Sequence, residues 1–229
     1  MRILIPTLIY GRHKTFDVFA QGIRDLQTAY PEHEIDCLAV GTGDKEAVGK
    51  HGFKYYEYPN ILSKKAQYRL ELCENKADYY LFLGSDDIIN VQTFGYYLKQ
   101  IEDGAEWIAP YDIFYWINRE IFYSEGYTSE STRYGESLAV GRCLSNNVLT
   151  QVNWSLWETL KERNIDRQAY ERLKALNVMS HFFCLRHIGG FICDIKTKDN
   201  LSKWNNKWRM TGLQSQFFSK KMVKLLNKL

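Results

Sequence analysis

The first half of the chain alternates short apolar runs with segments whose apolar residues return every three or four positions, and this alternation limits the fold more than any other feature. Arg2 to Pro6 is the first apolar run, and Phe16, Phe19, Ile23 and Leu26 then fall on one face of an amphipathic helix that closes at Pro31. Ile35 to Val40 is a second run, ended by Gly41-Thr42-Gly43-Asp44, and Phe53 to Tyr58 is a third. A helix from about Ser63 to Asn75 leads into Tyr79-Tyr80-Leu81-Phe82-Leu83. Continuous apolar strands separated by helices predict an α/β fold with a mostly parallel sheet covered on both faces, a Rossmann-like nucleotide-binding half.

The second half has a different pattern. Ile108 to Ile117 and Glu120 to Tyr123 read as strands joined by Asn118-Arg119, and the polar stretch Ser124 to Ser137 reads as a mobile loop. Helices are expected over Leu144–Val152, Trp154–Arg163 and Asp166–Leu176, followed by an apolar strand, Phe191–Ile195. No repeat or Pro/Gly-rich linker interrupts the 229 residues, so one domain is expected, with halves 1–105 and 106–200 and a tail, 201–229.

A net charge of +3 excludes a polycation built to coat nucleic acid, but the charge is uneven. Beyond Asp199 there are seven basic residues and no acidic one, which leaves −4 on residues 1–199. Phe218, Met222, Leu225, Leu226 and Leu229 share one face of a C-terminal helical pattern, with Lys220, Lys221, Lys224 and Lys228 opposite. Such a helix packs its apolar face on the domain, lies on an anionic membrane or tracks a nucleic-acid backbone; packing with a solvated lysine face is the plainer reading. The five cysteines include no C-x-x-C pair and read as buried thiols of a reducing compartment. The apolar start stopped at Pro6 is too short for a signal or membrane segment, and a cytoplasmic protein is expected.

Gly84-Ser85-Asp86-Asp87, directly after the strand at Tyr79, carries the most chemistry. Ligands of open parallel sheets bind beyond the carboxyl ends of the strands, and adjacent carboxylates there suit Mg²⁺ or Mn²⁺ holding a diphosphate. The alternative is that Asp86 or Asp87 caps the helix that begins near Val91 or shapes a turn.

The segment from Tyr80 to Ile89 resembles the DxD region of GT-A glycosyltransferases, particularly the broad family 2 and its small viral or bacterial relatives. The likeness extends, in order, to Ile3-Leu4-Ile5-Pro6-Thr7 with Arg12, to Tyr58-Pro59-Asn60 with Leu62-Ser63-Lys64-Lys65, and to Gly141-Arg142-Cys143-Leu144-Ser145, covering most of residues 1–200. Where the family has the first acid of its motif this chain has Gly84, so Asp86 and Asp87 must carry the metal.

The resemblance implies a GT-A fold with a nucleotide-sugar half and an acceptor half, and an inverting, metal-dependent transfer from a nucleotide sugar, a UDP-sugar being favoured. It implies Pro6, Thr7, Gly41 and Thr42 along the nucleotide, Lys65, Arg12 and Arg142 toward phosphate, and Ser85 with Asp86 at the donor. Asp44 is read more as a helix cap than as a ribose ligand. Asp166 resembles the family's base, with a plain cap as the equal alternative and Glu130 and Glu136 in reserve; His181 is a third metal ligand or a core histidine. Acceptors in view are a glycan, a lipid-linked saccharide or, given the basic tail, a modified DNA base. A nucleotidyltransferase and a non-catalytic binding module are the competing classes. The first is disfavoured because Pro6 to Lys14 contains only Gly11, and the second is permitted by Gly84.

Overall fold

The computed structural model describes residues 1–157, 165–197, 209–210 and 218–229. The elements run β1 (Arg2–Leu8), α1 (His13–Ala29), β2 (Glu34–Gly41), α2 (Lys45–Gly49), β3 (Lys54–Glu57), α3 (Leu62–Cys73), β4 (Tyr79–Phe82), β5 (Asp87–Ile89) and α4 (Val91–Glu102). They continue with β6 (Trp107–Pro110), β7 (Ile113–Ile117), β8 (Glu120–Ser124), β9 (Arg142–Ser145), α5 (Asn146–Gln151), α6 (Ile165–Lys174), β10 (Ser180–Phe183), β11 (Ile192–Lys196), β12 (Arg209–Met210) and α7 (Lys220–Leu226).

Seven strands form one sheet in the order β10-β6-β9-β4-β1-β2-β3, and five form a second, β12-β8-β7-β11-β5. In the first, β1 pairs in parallel with β2 and β4, and β2 with β3, as the crossover helices require. Strand β9 runs antiparallel between β4 and β6, making the sheet mixed at that point. Ile3 and Ile5 point into the cluster under α1 while Leu4 points into the cluster under α3, so β1 is buried on both faces. Each such side chain contributes about 1.5–3 kcal/mol of burial.

The alternation in the first half is reproduced element by element, and the second half departs from the expected pattern. The run Ile108–Ile117 is two strands in different sheets, because the chain breaks at buried Asp112, whose carboxylate accepts from Leu185 N at 2.6 Å and Arg186 N at 3.3 Å. The segment expected to be helical from Leu144 begins as β9 and turns helical only at Asn146, with Ser145 as cap. Trp154 to Trp157 is not helical, and the rest of that expected helix, 158–164, lies outside the described residues. Strand β10 was not anticipated.

The stretch Ser124–Ser137 is irregular, as expected, and is tied to the body. Tyr170 Oη of α6 donates to the Gly135 carbonyl at 3.5 Å, Glu136 and Ser137 are buried, and within the stretch Arg133 bonds Glu136 at 2.7 Å and stacks over the Tyr127 ring at 4.1 Å. In the tail, Phe218, Met222 and Leu226 are buried while Lys220, Lys221, Lys224 and Lys228 are exposed. Met222 seats against Gly22 of α1, where a Cβ would meet its Cε at 3.5 Å. The apolar face therefore packs on the domain. No helix among the described residues is long and apolar enough to cross a membrane.

Candidate active site

Strand β4 ends at Phe82, and Gly84 to Asp87 turns the chain into β5, a three-residue strand pairing antiparallel with β11. In that register Asp87 stands directly opposite Asp194. Like charges in this position repel across a sheet, so the pairing asks for a cation. One ligand oxygen from each of Asp86, Asp87 and Asp194 falls within 4.8 Å of the others.

The chain supplies part of the compensation. Arg12, from the turn before α1, forms an ion pair with Asp86, and Lys196 Nζ lies 2.5 Å from Asp194. Gly84 N donates to the Asp87 carboxylate. Burial pushes the Asp87 carboxyl upward, with Asp194 and Asp86 adding to the rise; burial and Asp86 do the same to Asp194. Asp194 Oδ1 is buried with no hydrogen-bond partner among the described residues. Three crowded carboxylates and an orphaned oxygen fit a hard divalent cation such as Mg²⁺ or Mn²⁺.

Asp194 was missed in the sequence, where it is a lone acid inside an apolar strand. It supplies the third carboxylate that Gly84 withholds, from another strand. A Cβ on Gly84 would come within 2.9 Å of carboxylate oxygens of both Asp86 and Asp87. Neither Asp86 nor Asp87 caps α4; Asn90 does, accepting from Thr93 N at 3.0 Å. His181 is not in the group. Its place in β10 puts its Nε2 2.8 Å from Tyr96 Oη, the satisfied-histidine alternative.

The other expected residues line the carboxyl ends of β1 and β2 and the start of α3. Lys65 is buried, donates to Thr42 Oγ1 at 2.9 Å and sits over the Tyr10 ring at 4.7 Å. Pro6 offers its carbonyl to Arg69 at 3.4 Å, and the hydroxyls of Thr7 and Ser85 are buried without a partner among the described residues. Gly41 leaves no room for a side chain: a Cβ there would stand 2.6 Å from Asp44 Oδ2. Asp44 occupies the cap position of α2 but makes no cap bond. It accepts instead from Gly11 N, Thr42 N and His13 Nε2, tying the turn after β1 to the end of β2.

A cavity of about 240 Å³ adjoins the aspartates, lined by Gly84 and Asp87 on one side and by Arg69, Arg142, Trp157 and Asp166 among others. Asp166 stands in the first turn of α6 and makes no hydrogen bond among the described residues. Arg142 is brought beside the end of β4 by the pairing of β9, Phe82 opposite Arg142. Glu136 is engaged by Arg133, while Glu130 is exposed on the loop.

Neither a protein-family profile nor a curated protein sequence matches the chain. Among solved structures it is similar to S. aureus TarS 1-349, with 12% identity and a TM-score of 0.56, over 87% of this chain and 59% of that one. It is also similar to A197 from STIV, with 11% identity and a TM-score of 0.48 over 80% and 82% of the two chains. The bifunctional IspDF from Campylobacter jejuni gives 12% and 0.49 over 79% and 48%. The chain therefore spans less than two thirds of the TarS structure, and at these identities the likeness is one of fold. That fold is GT-A.

Proposed function

We propose that the protein is a divalent-metal-dependent glycosyltransferase that moves a sugar from a nucleotide-sugar donor, a UDP-sugar first among them, to an acceptor hydroxyl with inversion. The observation that carries this reading is the meeting of Asp86, Asp87 and Asp194 at the carboxyl end of a central strand, beside a sugar-sized cavity that also holds Asp166. Pro6, Thr7, Gly41, Thr42 and Lys65 lie where a nucleotide would run along the strand ends, the usual place for ligands in an open α/β sheet.

Asp86, Asp87 and Asp194 would hold the Mn²⁺ or Mg²⁺, which supplies neutralisation of the departing diphosphate. Arg12 would add a fork beside that diphosphate by exchanging Asp86 for phosphate oxygen. The acceptor oxygen attacks the anomeric carbon as the bond from that carbon to the diphosphate breaks, and Asp166 takes the hydroxyl proton. The side chain suits this role because it faces the cavity unengaged by other hydrogen bonds among the described residues.

The acceptor is a glycan or a lipid-linked saccharide. The exposed lysine face of α7 favours a second acceptor, a modified base in DNA, and salt-dependent retention on DNA that vanishes on removing 217–229 supports it. Product analysis tests the main reading. Incubation with nucleotide sugars and Mn²⁺ should release nucleoside diphosphate, and wild type should do so faster than Asp166→Asn. Release of pyrophosphate from a nucleoside triphosphate instead would mark a nucleotidyltransferase, and no release of either would leave a binding module.

A further inference from the structure

The cavity beside the aspartates contains two guanidinium groups that form no ion pair among the described residues. Arg69, on α3, and Arg142, on β9, are 8% and 3% exposed. Arg69 is wedged between the rings of Phe82 and Trp157, 5.3 and 5.5 Å from their centroids. Its Nε, and the Nε and Nη2 of Arg142, have no hydrogen-bond partner among the described residues. Asp166 lines the same cavity and acts on both arginines through its charge, but forms no ion pair with either among the described residues.

Burial brings the Arg69 guanidinium down to about 10, so it remains charged at neutral pH, and burial lowers Arg142 as well. Buried charges are ordinarily paired and hydrogen-bonded. Asp166 is the one carboxylate that acts on both forks among the described residues, and donors from both arginines remain unfilled.

The shape of the cavity says what completes it. Gly84 and Asp87 form the wall shared with the aspartate cluster, where the diphosphate is placed by the transferase reading. The remaining wall includes Leu8, Phe82, Leu156, Trp157 and Asp166 with the two arginines, and the volume of about 240 Å³ is that of about eight waters, room for one sugar ring. A planar guanidinium matches a carboxylate through two parallel hydrogen bonds. Resting on the glycosyltransferase reading, we propose that Arg69 and Arg142 receive a carboxylate carried by the transferred sugar, so that the donor is a nucleotide-linked acidic sugar of the uronic acid class.

The subsite is testable without turnover. The full chain is titrated with D-glucuronate, D-glucose and inorganic pyrophosphate while the Nε–Hε NMR signals of Arg69 and Arg142 are followed. Glucuronate should move both signals and bind at least tenfold tighter than glucose. Arg69→Gln and Arg142→Gln should each abolish that preference. Should either fail to fold, Arg69→Lys and Arg142→Lys decide instead: the charge is kept, the fork is lost, and the preference should fall at least threefold. Equal binding of the two sugars, or signals that move only with pyrophosphate, overturns the proposal and returns the arginines to the diphosphate. A preference for glucuronate in a protein that binds no nucleotide would retire the transferase reading and leave the subsite standing.

Discussion

Asp86, Asp87 and Asp194 crowd three carboxylates within 4.8 Å, whereas Arg69 and Arg142, in the cavity that Asp87 also lines, bring together two buried guanidiniums on which Asp166 acts and whose donors are partly unfilled among the described residues. The first region has excess negative charge and the second has cationic donors left unfilled among the described residues, and Gly84 to Asp87 is the wall between them. Neither arrangement helps the isolated chain to fold, since unpaired buried charge is destabilising. The arrangement becomes favourable when a cation enters one side and an anion the other, as a metal-bound nucleotide carrying an acidic sugar would do together. Such unresolved pairs of clusters mark functional sites more than structural ones.

The comparison is broken most severely at Asp166, the carboxylate that faces the arginine side. Asp166→Asn should lower the transfer rate by about 10²–10⁴-fold, the usual range for a general base, while donor binding is preserved, since a base acts in the transition state. Single-turnover kinetics beside equilibrium binding separates the two quantities. A proportional loss of donor affinity would make Asp166 a binding group.

On the aspartate side, Asp86→Asn and Asp87→Asn should each reduce metal-supported transfer by about 10²-fold, the size of effect seen when one preorganised charge is removed. The metal-free protein should be no less stable to heat for Asp87→Asn, because a buried like charge is gone. Full activity in both variants would sink the metal assignment.

A smaller effect sharpens the same contrast through pH. Burial and like charge raise the folded-state pKa of Asp87 and take Asp194 to about 6, above the 3.8 of an unperturbed carboxyl. Between about pH 4 and 6 the folded state then holds more protons than the unfolded one, so this contribution to stability is present at the acid end and is lost as pH rises. Thermal melts of metal-free protein should show wild type declining relative to Asp87→Asn over that window, and Mn²⁺ should restore stability at the upper end. A difference that grows in the opposite direction would contradict the crowding.

Met222→Ala tests the part that should not matter for chemistry. The loss of packing on α1 should cost about 2–5 kcal/mol, read by denaturant unfolding, with donor affinity unchanged.

The two regions were also unequally legible. The aspartates at the end of β4 follow from a local pattern, an apolar strand ending in two acids. Asp194 does not, because its partnership with Asp87 is set by the pairing of strands about a hundred residues apart, and a sequence shows only an acid between Cys193 and Ile195. Arg69 carried a faint signal: it lies on the same face of α3 as Ala66 and Cys73, both buried, where an arginine is out of place. Arg142 and Asp166 were found through family likeness, not through spacing. The division of Ile108–Ile117 into two sheets was hidden because an apolar run does not reveal where buried Asp112 bends it. His181 was open between a third metal ligand and a core histidine, the commoner case, until the fold placed it against Tyr96.

The most direct test is thermal stability of the wild type and Asp87→Asn against UDP-, GDP-, CMP- and ADP-sugars, neutral and acidic, with and without Mn²⁺. At a hundred times its Kd a ligand adds about 2.7 kcal/mol, and with about 2–4 °C per kcal/mol for a chain of this size the melting temperature should rise by roughly 5–11 °C. The predicted result is a rise with one nucleotide only, greatest for its acidic sugar, dependent on Mn²⁺ and absent in Asp87→Asn. No rise with any donor, or an equal rise without metal and in the variant, would contradict a metal-held nucleotide sugar at Asp86, Asp87 and Asp194.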